Sequence, residues 1–369
     1  MNKVYLAVFS TIGLIGFATL IAIVLARGYL PDLSTRSLLP TGILVTTSDP
    51  DGARVYINDK LTTATNNTIN LIPGNYDIRI EKEGFSSWIK KVEIKKEEVI
   101  KTNAFLFPKV AELSPLTLTG ALNPSQSFDQ RKIAYAVASS SAEKNGIWVL
   151  DMDAGRVLIG GFNSRQVFKD SEALKLGGAN FIWSPDNSQI LAFFGDKPKE
   201  DTSSSSANFY QGINTGSITK AYLLDTGQLN SNLLPLTLHG VDLLLSSWKD
   251  LWQEKNTIIL SKLNNKISPT IKESTTRLSL STDETKLLYT ATTAAVLPTL
   301  IARYLPGTNP TPQVREIKRG GVYVYDVTED RNYFIIDINV SKGYVIDWFP
   351  SSRHLISHND REIAVMEYD

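Results

Sequence analysis

The chain has 369 residues, enough for two or three domains and at least one sizeable buried core. Its 38 Lys and Arg balance 38 Asp and Glu, and no long single-sign block stands out, so a nucleic-acid partner, which needs a basic face, is poorly supported. There is no cysteine, which excludes disulfides, thiolate metal sites and Cys nucleophiles and suits an extracytoplasmic chain.

Residues 4–26, VYLAVFSTIGLIGFATLIAIVLA, carry no charged side chain, and as a helix rising about 1.5 Å per residue they reach roughly 34 Å, enough to cross a bilayer. Lys3 and Arg27 bracket the run, so side-chain charge barely biases its direction, and the free amino terminus tips it toward a cytoplasmic start with the remaining domains outside. A cleaved signal peptide is the competing reading, with Val24 and Ala26 in the small-residue positions before a cut at Arg27. The apolar run exceeds the ~7–15 residues of such leaders, which favours an uncleaved anchor. Gly13 and Gly16 are three apart rather than four, so no helix-dimer face is inferred. A tether with Pro31 and Pro40 follows.

From 42 to 107 apolar residues alternate: Ile43 and Val45, Val55 and Ile57, Tyr76, Ile78 and Ile80, Val92 and Ile94. Period two means strands with one buried face. Asp-Pro-Asp-Gly at 49–52, Ile-Pro-Gly-Asn at 72–75 and Glu-Gly at 83–84 supply turns, since Gly permits positive φ and Pro fixes its own. The expected product is a compact antiparallel sandwich. Asp49, Asp51 and Asp59 lie near one another in sequence with no His or Cys beside them, so a turn is expected there over a calcium or carbohydrate site.

The stretch PDGARVYINDK resembles the signature of the PEGA domain, with Pro50, Gly52 and Ala53 in place and Asp51 where that family has glutamate. The likeness continues through LIPGNYDIRIEKEGFSSWIKKVEI, with a Pro-Gly hairpin, Tyr76, Gly84-Phe85 and Trp88. It implies a small β-sandwich of prokaryotic surface proteins, a binding or spacing module that brings no catalytic residues. On that likeness Asp49, Asp51 and Gly52 shape a turn with Ala53 packed beneath it.

Beyond residue 108 a repeat is visible. FDQRKIAYAV at 128–137, WSPDNSQILAFF at 183–194, LSTDETKLLYTA at 280–291 and WFPSSRHLISHN at 348–359 share a polar turn followed by an apolar strand. Partner strands GIWVLDMDAG at 146–155, KAYLLDTGQ at 220–228 and GVYVYDVTED at 321–330 end in aspartate and a turn. This strand–turn–strand unit is the inner part of a propeller blade. The turns at Asp129, Asp186, Asp283 and Ser352 are 57, 97 and 69 residues apart, so at about 40–50 residues per blade the middle interval predicts an extra blade. Its strand is expected in NTIILSKL at 256–263, after Trp248 and Trp252, with insertions at 195–217 and 292–319 as loops on one rim. WSPDNSQILAFF and GVYVYD resemble blades of TolB-like and WD-repeat-like propellers. The fourth turn, FPSSRH, lacks the aspartate, and the expectation is a last blade that is incomplete, one completed by SPLTLTG at 114–120, or a sequence that is a fragment.

No Gly-x-Ser-x-Gly elbow, His-Glu-x-x-His or phosphate-binding glycine loop occurs. The histidines are His239, His354 and His358, and the last two fall in a strand end and turn, where i, i+4 spacing does not converge ligands as it does on a helix. Asp151 and Asp153 before Gly155 read as a hairpin turn rather than a calcium site. Trp148, Trp183, Trp248, Trp252 and Trp348 recur with the blades and read as packing between them, with a sugar-stacking platform as the alternative. Trp88 is read as packing in the small domain. The apolar stretch 294–307 is too short and Pro-broken to cross a membrane and is a partner surface or a loop folded over the sheets.

The expectation is an all-β ectodomain behind an N-terminal transmembrane helix: anchor at 1–27, linker at 28–41, PEGA-like β-sandwich at 42–107 and a TolB-like β-propeller of about five blades at 108–369. Its expected role is non-catalytic, a surface-displayed binding protein with no catalytic, cofactor-binding or metal-ligating residue nominated and no binding residue located. The expected partners are the membrane, through residues 4–26, and a protein or envelope polysaccharide, with no nucleic acid. A structural envelope or surface-layer component and a propeller hydrolase are the alternatives.

Overall fold

Alternating apolar and polar residues pair into sheets along most of the chain, in a computed structural model that describes residues 3–26, 29–32, 37–110, 115–117, 120–157, 161–196, 213–303, 305, 311–338, 344–359 and 361–369. Helix α1 (Lys3–Ala26) comes first. Its residues 9–23, whose side chains are described, are mostly apolar and exposed on every face. Among the described residues no helix is long and apolar enough to cross a membrane, so the expected spanning segment is seen as an exposed apolar helix. The expected tether holds an antiparallel ribbon, β1 (Tyr29–Asp32) with β2 (Ser37–Pro40).

The small unit contains β3 (Gly42–Asp49), β4 (Arg54–Ile57), β5 (Lys60–Ala64), β6 (Asn67–Leu71), β7 (Gly74–Glu81), β8 (Trp88–Ile94) and β9 (Val99–Phe105). They form two sheets, β6-β3-β9 and β5-β4-β7-β8. Val55, Ile57, Ile78, Ile80, Val92 and Ile94 face the core as alternation requires. Two expectations need correction. The sheets are not wholly antiparallel, because β3 pairs in parallel with β9. On β3 the buried set is Leu44, Thr46 and Ser48, while Ile43 and Val45 are half-buried. The run Ile-Leu-Val is apolar in both phases, so its pattern could not choose a face. The inward hydroxyls are satisfied, with Ser48 Oγ 2.8 Å from Thr65 Oγ1, which also accepts from the Ala53 amide at 3.1 Å. Gly52 has φ 74°, Ala53 is fully buried beneath that turn, and Asp49 and Asp51 are exposed. Asp59 is engaged with Arg79 at 3.2 Å.

In the second unit, Ser114–Leu300 with Gln313–Tyr368, one turn occurs four times. Ser127, Ser184 and Ser281 each donate to the aspartate two residues on (Asp129, Asp186, Asp283) at 2.6 Å. Each serine also accepts the amide five residues on, at 2.9–3.1 Å. The residue after each aspartate takes a left-handed φ: Gln130 61°, Asn187 59° and Glu284 57°. In the fourth copy Ser352 has φ 58°, and Ser351 Oγ replaces the missing carboxylate by accepting the Arg353 and His354 amides at 3.3 and 3.2 Å. Burial opposes ionisation of Asp283, but the Ser281 and Thr285 hydrogen bonds and the Lys286 charge outweigh it and hold the carboxyl down to about 2. A native pKa below the unfolded one gives stability that is present above about pH 4 and lost as pH falls toward 2. Because this side chain is 46% exposed, Asp283→Asn is expected to cost only about 1 kcal/mol at pH 7, with the difference from the parent vanishing near pH 2 in urea titrations.

Each turn joins the first two strands of a sheet: β10 (Leu122–Gln126), β11 (Lys132–Val137), β12 (Gly146–Val157), β13 (Gly161–Lys169); then β14 (Asn180–Trp183), β15 (Gln189–Phe194), β16 (Lys220–Asp225). The third sheet is β17 (Thr275–Leu280), β18 (Lys286–Ala291), β21 (Gly321–Asp326), β22 (Arg331–Asp337), with a side ribbon β19 (Ala295–Val296) and β20 (Glu316–Ile317); the fourth is β23 (Val345–Trp348), β24 (His354–His358), β25 (Ile363–Glu367). Asp151 lies in β12, which continues through a register slip between Asp151 and Arg156, so the turn expected at 151–155 is strand. Gly146 starts β12 at φ 136°, and a Cβ there would lie 2.0 Å from the Phe168 carbonyl oxygen. Gly146→Ala is therefore expected to lower stability by about 2 kcal/mol in thermal unfolding.

The predicted extra blade is absent among the described residues, and its strand at 256–263 falls largely in a helix. Helix α2 (Leu238–Ser261) begins where Thr237 Oγ1 accepts the Gly240 amide at 3.1 Å. It buries Val241, Leu245, Trp248, Trp252 and Leu260, a stripe at helical spacing. Its first half packs on the second sheet; its end and α3 (Ser268–Ser274) pack on the third, so helices fill the place expected for a blade. No ring closed by a shared sheet is seen among the described residues: β10 belongs to the first sheet, and the fourth has three strands. Of SPLTLTG, residues 114, 118 and 119 lie outside the described residues, and the others carry no strand. Most of the 195–217 insertion also lies outside them. In the 292–319 insertion Leu297 and Ile317 are buried against the third sheet.

Candidate ligand-binding cavity

The first strand of each sheet, β10, β14, β17 and β23, contributes to one cavity of about 520 Å³. That size suits a small ligand. Neighbouring inner strands are stitched by indoles: Trp183 Nε1 donates to the Ser125 carbonyl and Trp348 Nε1 to the Ser279 carbonyl, both at 3.0 Å. Between the second and third sheets α2 makes the connection, through Lys255 donating to the Pro185 carbonyl and Lys262 to Glu284.

Among the polar residues that line the cavity are Gln130 from the first turn, Arg277 from β17, Asp347 from β23 and His358 from β24. Burial raises the Asp347 carboxyl above the ordinary carboxylate range, opposed by the charges of Arg277 and His358 and by a hydrogen bond from Gln130. A carboxyl whose folded pKa exceeds its unfolded one loses stability as pH rises through that window. Asp347→Asn is therefore expected to melt higher than the parent at pH 7, with the gap closing as pH falls below 4.

Arg277 sits at a special backbone position. Its strand slips register between Thr276 and Ser279, and Arg277 has φ 55°. The first sheet repeats the device four residues before its own serine: β10 slips between Leu122 and Ser125, and Asn123 has φ 48°. Asparagine tolerates this left-handed region, whereas arginine adopts it at a cost on the order of 1 kcal/mol.

Aromatic rings form the remainder of the wall. Phe128 and Trp252 meet edge-on with centroids 5.1 Å apart, and Phe181, Trp183 and Tyr344 also line it. The Trp252 indole Nε1 is buried with no hydrogen-bond partner in the protein. Of the tryptophans read as packing between blades, Trp183 and Trp348 bridge sheets, Trp248 and Trp252 belong to α2, and Trp148 donates to the Lys144 carbonyl at 2.9 Å in the turn before its own strand. Trp88 packs on the core of the small unit.

The histidines do not gather. His239 lies exposed in the first turn of α2, His354 Nδ1 is 2.7 Å from Ser351 Oγ, and His358 lines the cavity. His354 and His358 are four residues apart along one strand, roughly 13 Å. Among the described residues no group of three or more His, Asp or Glu side chains could hold a metal ion. Sequence reasoning passed over Gln130, Arg277 and Asp347. The available signal was the Arg at the repeat position that holds Asn123 in the first copy.

No curated protein matches the chain. Among solved structures it is similar to a prolyl endopeptidase (12% identity, 86% of this chain and 34% of that one, TM-score 0.21). It is also similar to an auxiliary nutrient binding protein from Bacteroides thetaiotaomicron (10%, 86% and 60%, 0.20). A third is the β-propeller domain of the Trilobed protease from Pyrococcus furiosus (12%, 88% and 70%, 0.19). The chain thus spans about a third and less than two thirds of the first two, and TM-scores this low carry no argument about activity. The specific match is local: residues 41–109, the segment that folds as the paired sheets β6-β3-β9 and β5-β4-β7-β8, match the family model of the PEGA domain.

Proposed function

We propose that the protein is a non-catalytic, envelope-displayed receptor: α1 anchors it in the membrane, the PEGA domain serves as stalk or adaptor, and the four-sheet unit binds a protein or an envelope polysaccharide outside the cytoplasm. The cavity carries this reading, because it gathers polar and aromatic side chains that can recognise a ligand. Supporting the anchor, a helix with apolar side chains exposed around its whole circumference is stable only in an apolar surrounding. The absence of cysteine agrees with an envelope location.

The full chain in detergent, used as bait against envelope extracts, is expected to retain a defined protein or glycan. Failure to retain any component above a mock bait would favour the structural-envelope alternative, and turnover in a hydrolase screen would favour the enzyme. For the anchor, the full chain is expected to float with lipid vesicles, and a variant lacking residues 3–26 to stay in the dense fraction. Equal flotation of the two would remove the anchor.

A further inference from the structure

We propose that the cavity between β10, β14, β17 and β23 binds a neutral, multiply hydroxylated ring, a monosaccharide or the terminal residue of a glycan, held by Arg277, Asp347 and Gln130. This rests on the receptor reading above and names its ligand class.

The lining selects by exclusion. An anion meets the Asp347 carboxylate, and a bare cation meets Arg277, with no cluster of acidic or imidazole groups for a metal among the described residues. A wholly apolar ligand would offer no hydrogen bond to the polar side of the wall, where Gln130 and Arg277 already face Asp347. A ring bearing hydroxyls fits both halves of the wall. Hydroxyls both donate and accept, so they match a carboxylate acceptor, a guanidinium donor and an amide that does both. The C–H face of such a ring packs on aromatic surface, which Phe128, Trp183 and Trp252 supply.

The backbone gives a second, independent reason. In the first copy of the repeat the left-handed bulge carries Asn123, whose side chain donates to the Ala179 carbonyl at 3.0 Å, a structural task. In the third copy the same position carries an arginine that turns to the cavity, against its own backbone preference. A side chain kept at a strained position where a better-suited residue serves the fold next door is a mark of a ligand-directed role.

The experiment uses the full chain in detergent and titrates glucose, galactose, mannose, N-acetylglucosamine and the β-1,4-linked tetramer of N-acetylglucosamine, followed by tryptophan fluorescence and calorimetry. Saturable one-to-one binding of at least one sugar is expected. Binding of a monosaccharide identifies a free sugar as sufficient; binding of the tetramer alone identifies a glycan end. Arg277→Asn, which copies the first repeat, and Asp347→Asn are each expected to weaken binding at least tenfold while melting no lower than the parent. Absence of saturable binding by every sugar, or unchanged affinity in both variants, overturns the assignment. If the envelope bait experiment still retains a partner in that case, only the ligand class falls and the receptor reading stands.

Discussion

Asp330→Ala is expected to destabilise the second unit by about 3–5 kcal/mol, the effect of removing one member of a buried ion pair. The carboxylate is 1% exposed and holds three groups together. Arg315 Nη1 donates to it at 3.0 Å, the Tyr325 hydroxyl at 2.8 Å and the Leu300 amide at 2.6 Å, while Arg315 also reaches the Asp330 carbonyl. These bonds tie both ends of the 292–319 insertion to the β21–β22 turn. Deleting the carboxylate leaves Arg315, 14% exposed, without its counter-charge and leaves two donors unmatched. Asp330→Asn keeps the outline and one acceptor and should lose about half as much. Urea unfolding followed by tyrosine and tryptophan fluorescence measures both; a loss below about 1 kcal/mol for the alanine variant would show that the network contributes little beyond filling space.

Trp183→Ala should cost about 3–5 kcal/mol, the range for truncating a buried indole. Trp183 is 2% exposed, packs in the core shared by the first two sheets and donates to the Ser125 carbonyl at 3.0 Å. Trp183→Phe retains much of the packing but loses that donor, so about 1–2 kcal/mol is expected. Because Trp348 makes the equivalent bond to Ser279, Trp348→Phe should lose a similar amount. A difference between the two phenylalanine variants much above 1 kcal/mol would mean that the repeat in sequence does not correspond to a repeat in energetics. Trp183 also lines the cavity, so stability must be read before any binding measurement on its variants is interpreted.

The places where sequence reading and structure part company share one cause. Residues 256–263 look like a strand when taken alone, since Ile258, Ile259 and Leu260 are consecutive, but over a longer window Val241, Leu245, Trp248 and Trp252 define a helical stripe that the Thr237 cap starts. A short apolar run is ambiguous in period; twenty residues are not. The phase of β3 was hidden similarly, because Ile43, Leu44 and Val45 can each face a core, and the choice fell to the Thr65 hydroxyl waiting for Ser48 inside.

By itself the sequence determined the strand-rich character, the turn at 49–52 above Ala53, the four repeated turns and the lack of thiol chemistry, because these depend on residue types at short spacing: a glycine where φ is positive, a serine two before an aspartate, an apolar residue at every second place. Only the tertiary structure decided that helices stand between the second and third sheets and that Gln130, Arg277, Asp347 and His358 line one cavity. Those four side chains are spread over more than two hundred positions, and no local preference of the backbone encodes their meeting. It follows from how the inner strands pack around a shared space, which is a property of the assembled sheets.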